Sequence, residues 1–414
     1  MVTWLLEGDD VFSQTKRRIL AAPAVLLAMM LLVPGVGAQG GDRAPGGDSG
    51  PAPVQAPVIP APERGVDGHY IIVLKEGGNP RSVAAIAGVS PDYVYTAALN
   101  GFAADLNQGQ LTALRHNPNV SYIEQDAEVS LNTTQTSATW GLDRIDQHPR
   151  PLSTTFTYDS TGAGVTAYII DTGLRYDHQE FGGRAAFGYD AFGGTGTDCN
   201  GHGTHVGGTV GGATYGVAKG VTLVAVRVLD CRGSGSWSGV VAGVDWVTGN
   251  HAAGQPAVAS MSLGGSGNTS VDNAVKRSIA DGVSYAIAAG NGNIAGIAQD
   301  ACKYSPARVP EAITVGATDQ TDKKASWSNY GNCVDLFAPG VSITSAWYSS
   351  GTATNTISGT SMATPHTAGV AALYLSSHPS STPQQVRDAL YANATKGAVT
   401  SAKTTNNDLL YTNY

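Results

Sequence analysis

The sequence predicts an α/β fold: a doubly wound, mostly parallel sheet, preceded by a small α+β unit. Three observations carry that prediction. From about residue 140 onward, continuous apolar or β-branched runs recur at 165–170, 222–228, 257–261, 283–287 and 313–317, as suits strands buried on both faces of a parallel sheet. Between them apolar residues recur at helical spacing, Val240, Val241, Val244 and Val247 on one face and Ala274, Val275 and Ile279 on another. Ahead of them, residues 69–131 alternate on a shorter scale, as strand, helix, strand, strand, helix, strand. That is the split βαβ order of ferredoxin-like units.

In chain order, Lys16-Arg17-Arg18 precede an apolar run from Ile19 to Val33 that ends in the small residues Val36, Gly37 and Ala38. A basic region, a short apolar core and a small-residue exit describe a secretory signal over 1–38, cleaved after Ala38. Glu7, Asp9 and Asp10 are unusual ahead of such a basic trio and point to a start downstream of Met1. The run is too short for a membrane span, and no other stretch approaches ~18 apolar residues. No membrane association is expected once the signal is removed. Residues 39–67, with prolines at 45, 51, 53, 57, 60 and 62, read as an extended, mobile linker.

The small unit is placed at 68–132. His69–Leu74 reads as a strand and Ser82–Ala87 as a short helix; Tyr93–Leu106 reads as a strand pair turning near Asn100-Gly101, a favoured hairpin dipeptide. Gln108–His116 reads as a second helix, and Val120–Ile123 opens a last strand. At ~60 residues such a unit has little core and is marginal alone. The larger domain, 133–414, follows. In doubly wound sheets of this kind, ligands bind beyond the carboxyl ends of the strands.

Composition narrows the function. The chain has 414 residues, 42% hydrophobic and 14% charged, the latter well under the ~25% of average domains. Its 53 glycines are roughly twice average usage. These figures describe a compact secreted protein with many tight loops and exclude wholesale disorder. With net charge −8 and no basic cluster beyond residues 16–18, nucleic acid is excluded as a partner. Four cysteines, all after residue 190, fit two disulfides, for which sequence alone leaves three pairings open. No C-x-x-C spacing occurs, which argues against zinc. Asn-x-Ser/Thr sites at Asn119, Asn132, Asn268 and Asn393 are treated as incidental.

Three small-residue motifs follow strand ends: Asp171-Thr172-Gly173, Asn200-Gly201-His202-Gly203-Thr204-His205, and Gly359-Thr360-Ser361-Met362-Ala363-Thr364-Pro365-His366. Nucleophilic hydrolysis needs a serine whose proton a histidine can take, and a buried carboxylate to hold that histidine in the right tautomer. A lone Asp-Thr-Gly also marks aspartic proteases, but those need two paired carboxylates and only one such motif occurs. The order Asp, His, Ser is that of subtilisin. With the residues around each motif matched, the stretch from about Trp140 to Tyr414 resembles the subtilisin-like serine proteases, is most similar to their proteinase K branch, and in detail is similar to the aqualysin-like members. Residues 69–131 resemble the inhibitor-type prodomain of those proteases through Asn100–Leu106 and Val120–Asp126.

The resemblance implies Ser361 as nucleophile, His202 as general base and acid, Asp171 as the orienting carboxylate and Asn291, in Ala288-Ala289-Gly290-Asn291, as the side-chain donor to the oxyanion. It implies that peptide adds as a strand between Gly233-Ser234-Gly235 and Ser262-Leu263-Gly264-Gly265, with Ala288, Ala289 and Gly290 lining S1. Such small, uncharged walls favour large apolar or aromatic P1 residues. It pairs Cys199 with Cys231 and Cys302 with Cys333, each closing a loop of about 30 residues worth roughly 3–4 kcal/mol. It implies structural calcium at Asp335 with the carbonyls of Pro310 and Ala312, and at Asp143, Asp146, Gln147, Ser153 and Thr155, all oxygen donors of the kind this cation takes. It implies a secreted, monomeric, self-processing zymogen acting on polypeptides. The prodomain would be its own intramolecular inhibitor, with Glu128–Asn132 in the cleft and cleavage near Asn132–Thr133. His205 and His366 are read as packed neighbours rather than catalytic groups. Gly207 and Thr367 depart from the Ala and Val common in relatives and are expected to soften packing or lower stability without removing a catalytic group. A protease-like binding protein and an esterase or acyl transferase are the competing readings. Loss of a triad member would favour the first, and the long peptide-binding segments argue against the second.

Overall fold

The computed structural model describes residues 55–61, 65–127 and 133–414. The proposed signal and its cleavage point lie outside them, as do Glu128–Asn132. The chain divides near residue 128 into two units.

The first unit is a five-stranded sheet ordered Val58–Ile59, Val120–Ala127, Gly65–Leu74, Gly101–Asp105, Tyr93–Tyr95, with helices at Pro80–Ile86 and Gln108–Arg115. Without the first strand this is the expected split βαβ arrangement. The added strand pairs parallel, Val58 with Ile123, and the strand at Gly65 starts inside the stretch read as linker. The added strand lies between Pro57 and Pro60 at the sheet edge, where proline is tolerated, and those prolines hid it. Both helices begin at Asn caps. Asn79 Oδ1 accepts from the Ser82 amide with Pro80 in the first turn, and Asn107 forms a capping box with Gln110. The hairpin differs from its prediction. Pairing starts at Tyr95 and Gly101, so the loop is longer than a two-residue turn. Gly101 serves close approach instead, since a Cβ there would lie 2.2 Å from Ile72 O. Ile72, Phe102, Leu114 and Ile123 are fully buried at the centre of this unit.

The second unit is built on a seven-stranded sheet ordered Leu336–Pro339, Ile313–Thr318, Ser284–Ala288, Ala257–Met261, Thr166–Asp171, Thr222–Arg227, Ala185–Asp190. Every neighbouring pair is parallel. Five strands lie where the apolar runs put them. The two edge strands, 185–190 and 336–339, escaped prediction, the first because its half-exposed Ala-Ala-Phe-Gly-Tyr-Asp lacks a continuous apolar run. Side chains alternate between two cores, as strand geometry requires. Ala167, Ile169, Leu223 and Ala225 pack with Val206 and Val210 of helix His202–Gly211 and with helix Thr360–Ser377. On the opposite face Tyr168, Ile170, Val226 and Ile287 meet Val240, Val244 and Val247 of helix Trp237–Asn250, together with Val271 and Val275 of helix Thr269–Asp281. Each fully buried Val, Leu or Ile contributes about 1.5–3 kcal/mol. Helix Thr360–Ser377 is buried on nearly all sides, as expected of one running through a core rather than over it.

The first strand of this sheet, 166–171, sits between 222–227 and 257–261, so the chain builds one edge and then crosses to the other. The carboxyl ends around that crossing are where this architecture opens a ligand crevice.

Candidate active site

Asp171 closes strand 166–171 and is fully buried. His202 opens helix 202–211 beside it, and its Nδ1 lies 2.7 Å from Asp171 Oδ1. The same Oδ1 accepts from the Thr172 amide at 2.7 Å, and Oδ2 is buried with no partner. Burial pushes the His202 pKa down, but the charge and hydrogen bond of Asp171, aided by the charge of Asp198, outweigh it and leave the value raised.

Asp198 was not singled out in the sequence. Its carboxylate accepts from Thr172 Oγ1 and from the amides of Asn200, Gly201 and Thr204 at 2.9 Å each, and from Thr204 Oγ1 at 2.6 Å. One buried acid therefore ties the Asp171 strand end to the first turn of the His202 helix, capping amides that have no intrahelical partner. Its position, four residues ahead of His202, is the signal that could have found it.

Ser361 lies in the first turn of helix 360–377, which starts after Gly359. Pro365 sits inside that helix and has no N–H to offer the carbonyl of Ser361 four residues back. Ser262 Oγ donates to that carbonyl instead, at 2.9 Å, and Ser361 Oγ donates to Ser262 O at 3.2 Å. Among the described residues Ser361 therefore turns toward Ser262, and no hydrogen bond joins it to His202. Catalytic hydrogen bonds are often loose in ligand-free enzymes.

Asn291 follows strand 284–288. Its Oδ1 accepts from the Thr360 amide and hydroxyl, 2.8 Å each, and Thr360 Oγ1 accepts from the Gly290 amide at 3.1 Å. With Oδ1 so occupied, Nδ2 is the end left to serve as a donor. An ideal Cβ on Gly359 would lie 3.5 Å from both Asn291 Nδ2 and the Ser361 amide, so these two donors flank one point.

Two cavities meet along Ser262–Ser266. The first is lined by His202, Leu229, Gly233, Ser234, Gly235 and Trp237. The second is lined by Ala288, Ala289, Gly290, Asn291, Ile294 and Ser361, with no charged side chain. The structure thus brings both segments expected to bind peptide, and the small residues expected to line S1, to the groove that holds His202 and Ser361.

The disulfides are Cys199–Cys231 and Cys302–Cys333, as the resemblance implied. His205 Nε2 reaches Ile343 O (3.0 Å) and Asn355 O (3.2 Å); His366 Nδ1 reaches Met362 O at 2.8 Å. Burial pushes both rings down to about 4, so they are neutral packed groups. Gly207 is filled from outside, since a Cβ there would lie 2.6 Å from Leu174 Cδ2. The Thr367 hydroxyl is buried without a partner, an unfavourable arrangement.

Among the described residues no three His, Cys, Asp or Glu side chains converge as a metal site, so a cation would depend on carbonyls, amides and hydroxyls. Around Asp143 such donors are present. Asp143 Oδ1 accepts from the Ser153 amide and hydroxyl at 2.9 Å each, Ser153 Oγ lies 2.7 Å from Thr155 Oγ1, and Gln147 Nε2 donates to Pro149 O and Pro151 O. Asp146 Oδ2 accepts from Thr157 N at 2.7 Å, but its Oδ1 is buried with no partner. Burial, and then the charge of Asp143, push Asp146 up to about 6. An orphaned buried carboxylate oxygen beside a second acid fits a cation. The set at Asp335 differs. Asp335 Oδ2 accepts from Thr314 N at 2.8 Å, while Arg387 donates Nη2 to Asp335 Oδ1 at 3.2 Å and Nη1 to Pro310 O. A guanidinium stands between two of the expected donors; Ala312 is buried nearby in sequence.

Comparison with known proteins bears on this arrangement. Residues 162–409 match the family model of the subtilases, peptidase family S8. The chain belongs to the subtilase family. Residues 69–132 match the peptidase inhibitor I9 model. This subtilase is 54% identical over 388 residues to an extracellular serine proteinase of Thermus sp. (strain Rt41A), spanning 86% of this chain and 93% of the relative. It is 51% identical over 337 residues to alkaline serine exoprotease A of Vibrio alginolyticus, spanning 80% of this chain and 61% of that protein. A solved structure, that of a cold-adapted subtilisin-like serine proteinase, matches at 54% identity with a TM-score of 0.64, covering 67% of this chain and 98% of the other. The subtilase is thus a secreted serine proteinase with an inhibitor-type prodomain. No helix among its described residues is long and apolar enough to cross a membrane.

Proposed function

We propose that this subtilase is an endopeptidase that cleaves internal peptide bonds through an acyl-enzyme formed on Ser361. The observation that carries the reading is the 2.7 Å bond between His202 and buried Asp171, in the groove that also holds Ser361 and Asn291. Substrate adds as a strand between 233–235 and 262–265. Ser361 Oγ then leaves Ser262 O for His202 Nε2 and attacks the scissile carbonyl, while His202 takes its proton. The imidazolium so formed is stabilised by Asp171, which stays ionised. Negative charge on the carbonyl oxygen meets Asn291 Nδ2 and the Ser361 amide, donors fixed before the reaction begins. Collapse breaks the C–N bond as His202 returns its proton to the leaving amine. Water, deprotonated by the same base, then releases the acid and restores Ser361. Casein hydrolysis by wild type beside Ser361→Ala tests this scheme.

We assign residues 68–132 as the intramolecular inhibitor, removed by self-cleavage near Asn132–Thr133. The end of the inhibitor match at residue 132 supports that position.

The uncharged lining of the S1 cavity supports broad cleavage with large apolar or aromatic P1 residues. In a peptide-library digest, cleavage is expected after Phe, Tyr, Leu and Met. Cleavage confined to Lys or Arg would overturn this assignment.

We assign structural calcium to Asp143, Asp146, Gln147, Ser153 and Thr155, on the strength of the orphaned Asp146 oxygen. Bound there, the cation would neutralise two neighbouring acids and fix the segment between them. Binding at Asp335, Pro310 and Ala312 would require Arg387 to release its hold. At a calcium concentration of 100 times Kd the ion contributes about 2.7 kcal/mol. EDTA is therefore expected to lower Tm by roughly 5 °C or more, and Asp146→Asn to remove most of that response. A Tm indifferent to EDTA would count against calcium at either set.

A further inference from the structure

Asn329 lies in a loop after strand 313–318, in a segment without any motif, and is fully buried. Its side chain works on one short stretch of chain. Nδ2 donates to Ala289 O at 2.8 Å, and Oδ1 accepts from the amides of Gly292 at 3.0 Å and Gln299 at 2.8 Å. The backbone amide of Asn329 donates to Gly290 O at 2.9 Å. These bonds grip the chain on both sides of Asn291. The glycines flanking Asn291 have φ of +100° and +81°, a conformation that side chains rarely adopt and that glycine alone leaves loosely held. At Gly290 the grip excludes anything larger, since a Cβ would lie 2.5 Å from Asn329 Nδ2.

An asparagine suits this task because one planar amide presents a donor to a carbonyl and an acceptor to two N–H groups. Aspartate keeps the acceptor but sets a second oxygen against Ala289 O. Asn291 holds its own Oδ1 on Thr360, so the direction of its Nδ2 depends on where the 289–292 backbone lies. We infer that Asn329 is a positioning residue for the reaction, fixing residues 289–292 so that Asn291 Nδ2 meets the oxyanion. The inference rests on the oxyanion role assigned to Asn291 above.

The test is a double-mutant cycle on mature enzyme: wild type, Asn329→Asp, Asn291→Ala and the double variant. For each, kcat and KM on a peptide p-nitroanilide with P1 Phe are measured, with Tm alongside. Asn329→Asp is expected to lower kcat about 10- to 100-fold, as a displacement near 1 Å does, with KM changed by less than about threefold. Asn291→Ala is expected to lower kcat about 10²–10³-fold, a magnitude that comes from subtilisin. In the Asn291→Ala background the Asn329 change should then lower kcat no further, because the group it aims is gone. Equal losses in both backgrounds, or a fall in Tm with kcat intact, would leave Asn329 a structural residue and overturn the inference alone. An unchanged kcat in Asn291→Ala would remove the oxyanion assignment and this inference with it. Asn329→Ser, which cannot span to Ala289 O, runs the same cycle should the aspartate variant fail to mature.

Discussion

Ser361→Ala is expected to yield a chain that retains its prosegment and leaves casein intact, whereas wild type yields a mature species beginning near Thr133. The loss in kcat should be on the order of 10⁶, as loss of the nucleophile costs in subtilisin. The substitution isolates chemistry from folding. Ser361 Oγ makes one bond, to Ser262 O, while the bond that ties the two segments together, Ser262 Oγ to Ser361 O, uses backbone on the helix side and survives. One neutral hydrogen bond is worth about 1 kcal/mol, so Tm should move by a few degrees at most. Intact mass and casein hydrolysis on the same samples decide it. If both chains keep the prosegment and casein stays intact, the triad is idle and the protein is a protease-like binding protein. If the alanine variant still processes itself and digests casein, the nucleophile lies elsewhere.

What the sequence displayed, and what it hid, follows from how each residue acts. Asp171, His202 and Ser361 sit in motifs whose small neighbours exist because backbone must approach backbone there, and such runs are visible in a single chain. The buried parallel strands were visible for a similar reason, since being covered on both faces forces continuous apolar runs. Asn329 acts through hydrogen bonds to backbone, which any residue type can supply, so nothing in its partners' identity marks it. Asp198 also binds backbone amides, and only its two threonine partners and its place ahead of His202 mark it. Ser262 showed as a binding segment, but its bond to the carbonyl freed by Pro365 needs a contact between residues 99 apart in sequence. Arg387 was invisible for a related reason. A residue inside helix Pro383–Asn393 gave no sign that it reaches Asp335 and Pro310, where oxygen donors alone were expected.

Asp171→Asn is expected to lower kcat by on the order of 10⁴, as removing this carboxylate does in subtilisin, and to move the acid limb of kcat/KM to lower pH. The direction follows from what acts on His202. Catalysis needs the neutral ring as base, so the acid limb falls at the pKa of His202 in the free enzyme. Burial pushes that value down, and the charge and hydrogen bond of Asp171, with Asp198, hold it up. With the Asp171 charge removed, burial gains ground and the ring stays neutral to lower pH. Geometry favours a clean reading. The Thr172 amide donates to the Asp171 oxygen that His202 also meets, so an asparagine is held with its oxygen at that point and its NH2 where Oδ2 now lies. Oδ2 is buried with no hydrogen-bond partner, and an NH2 left unpaired there should lower stability by about 1–3 kcal/mol. The variant therefore loses the charge while the imidazole keeps its bond, and the pH profile reports the charge. An acid limb that stays in place or rises, or a loss of less than tenfold, would show that Asp171 does not set the basicity of His202.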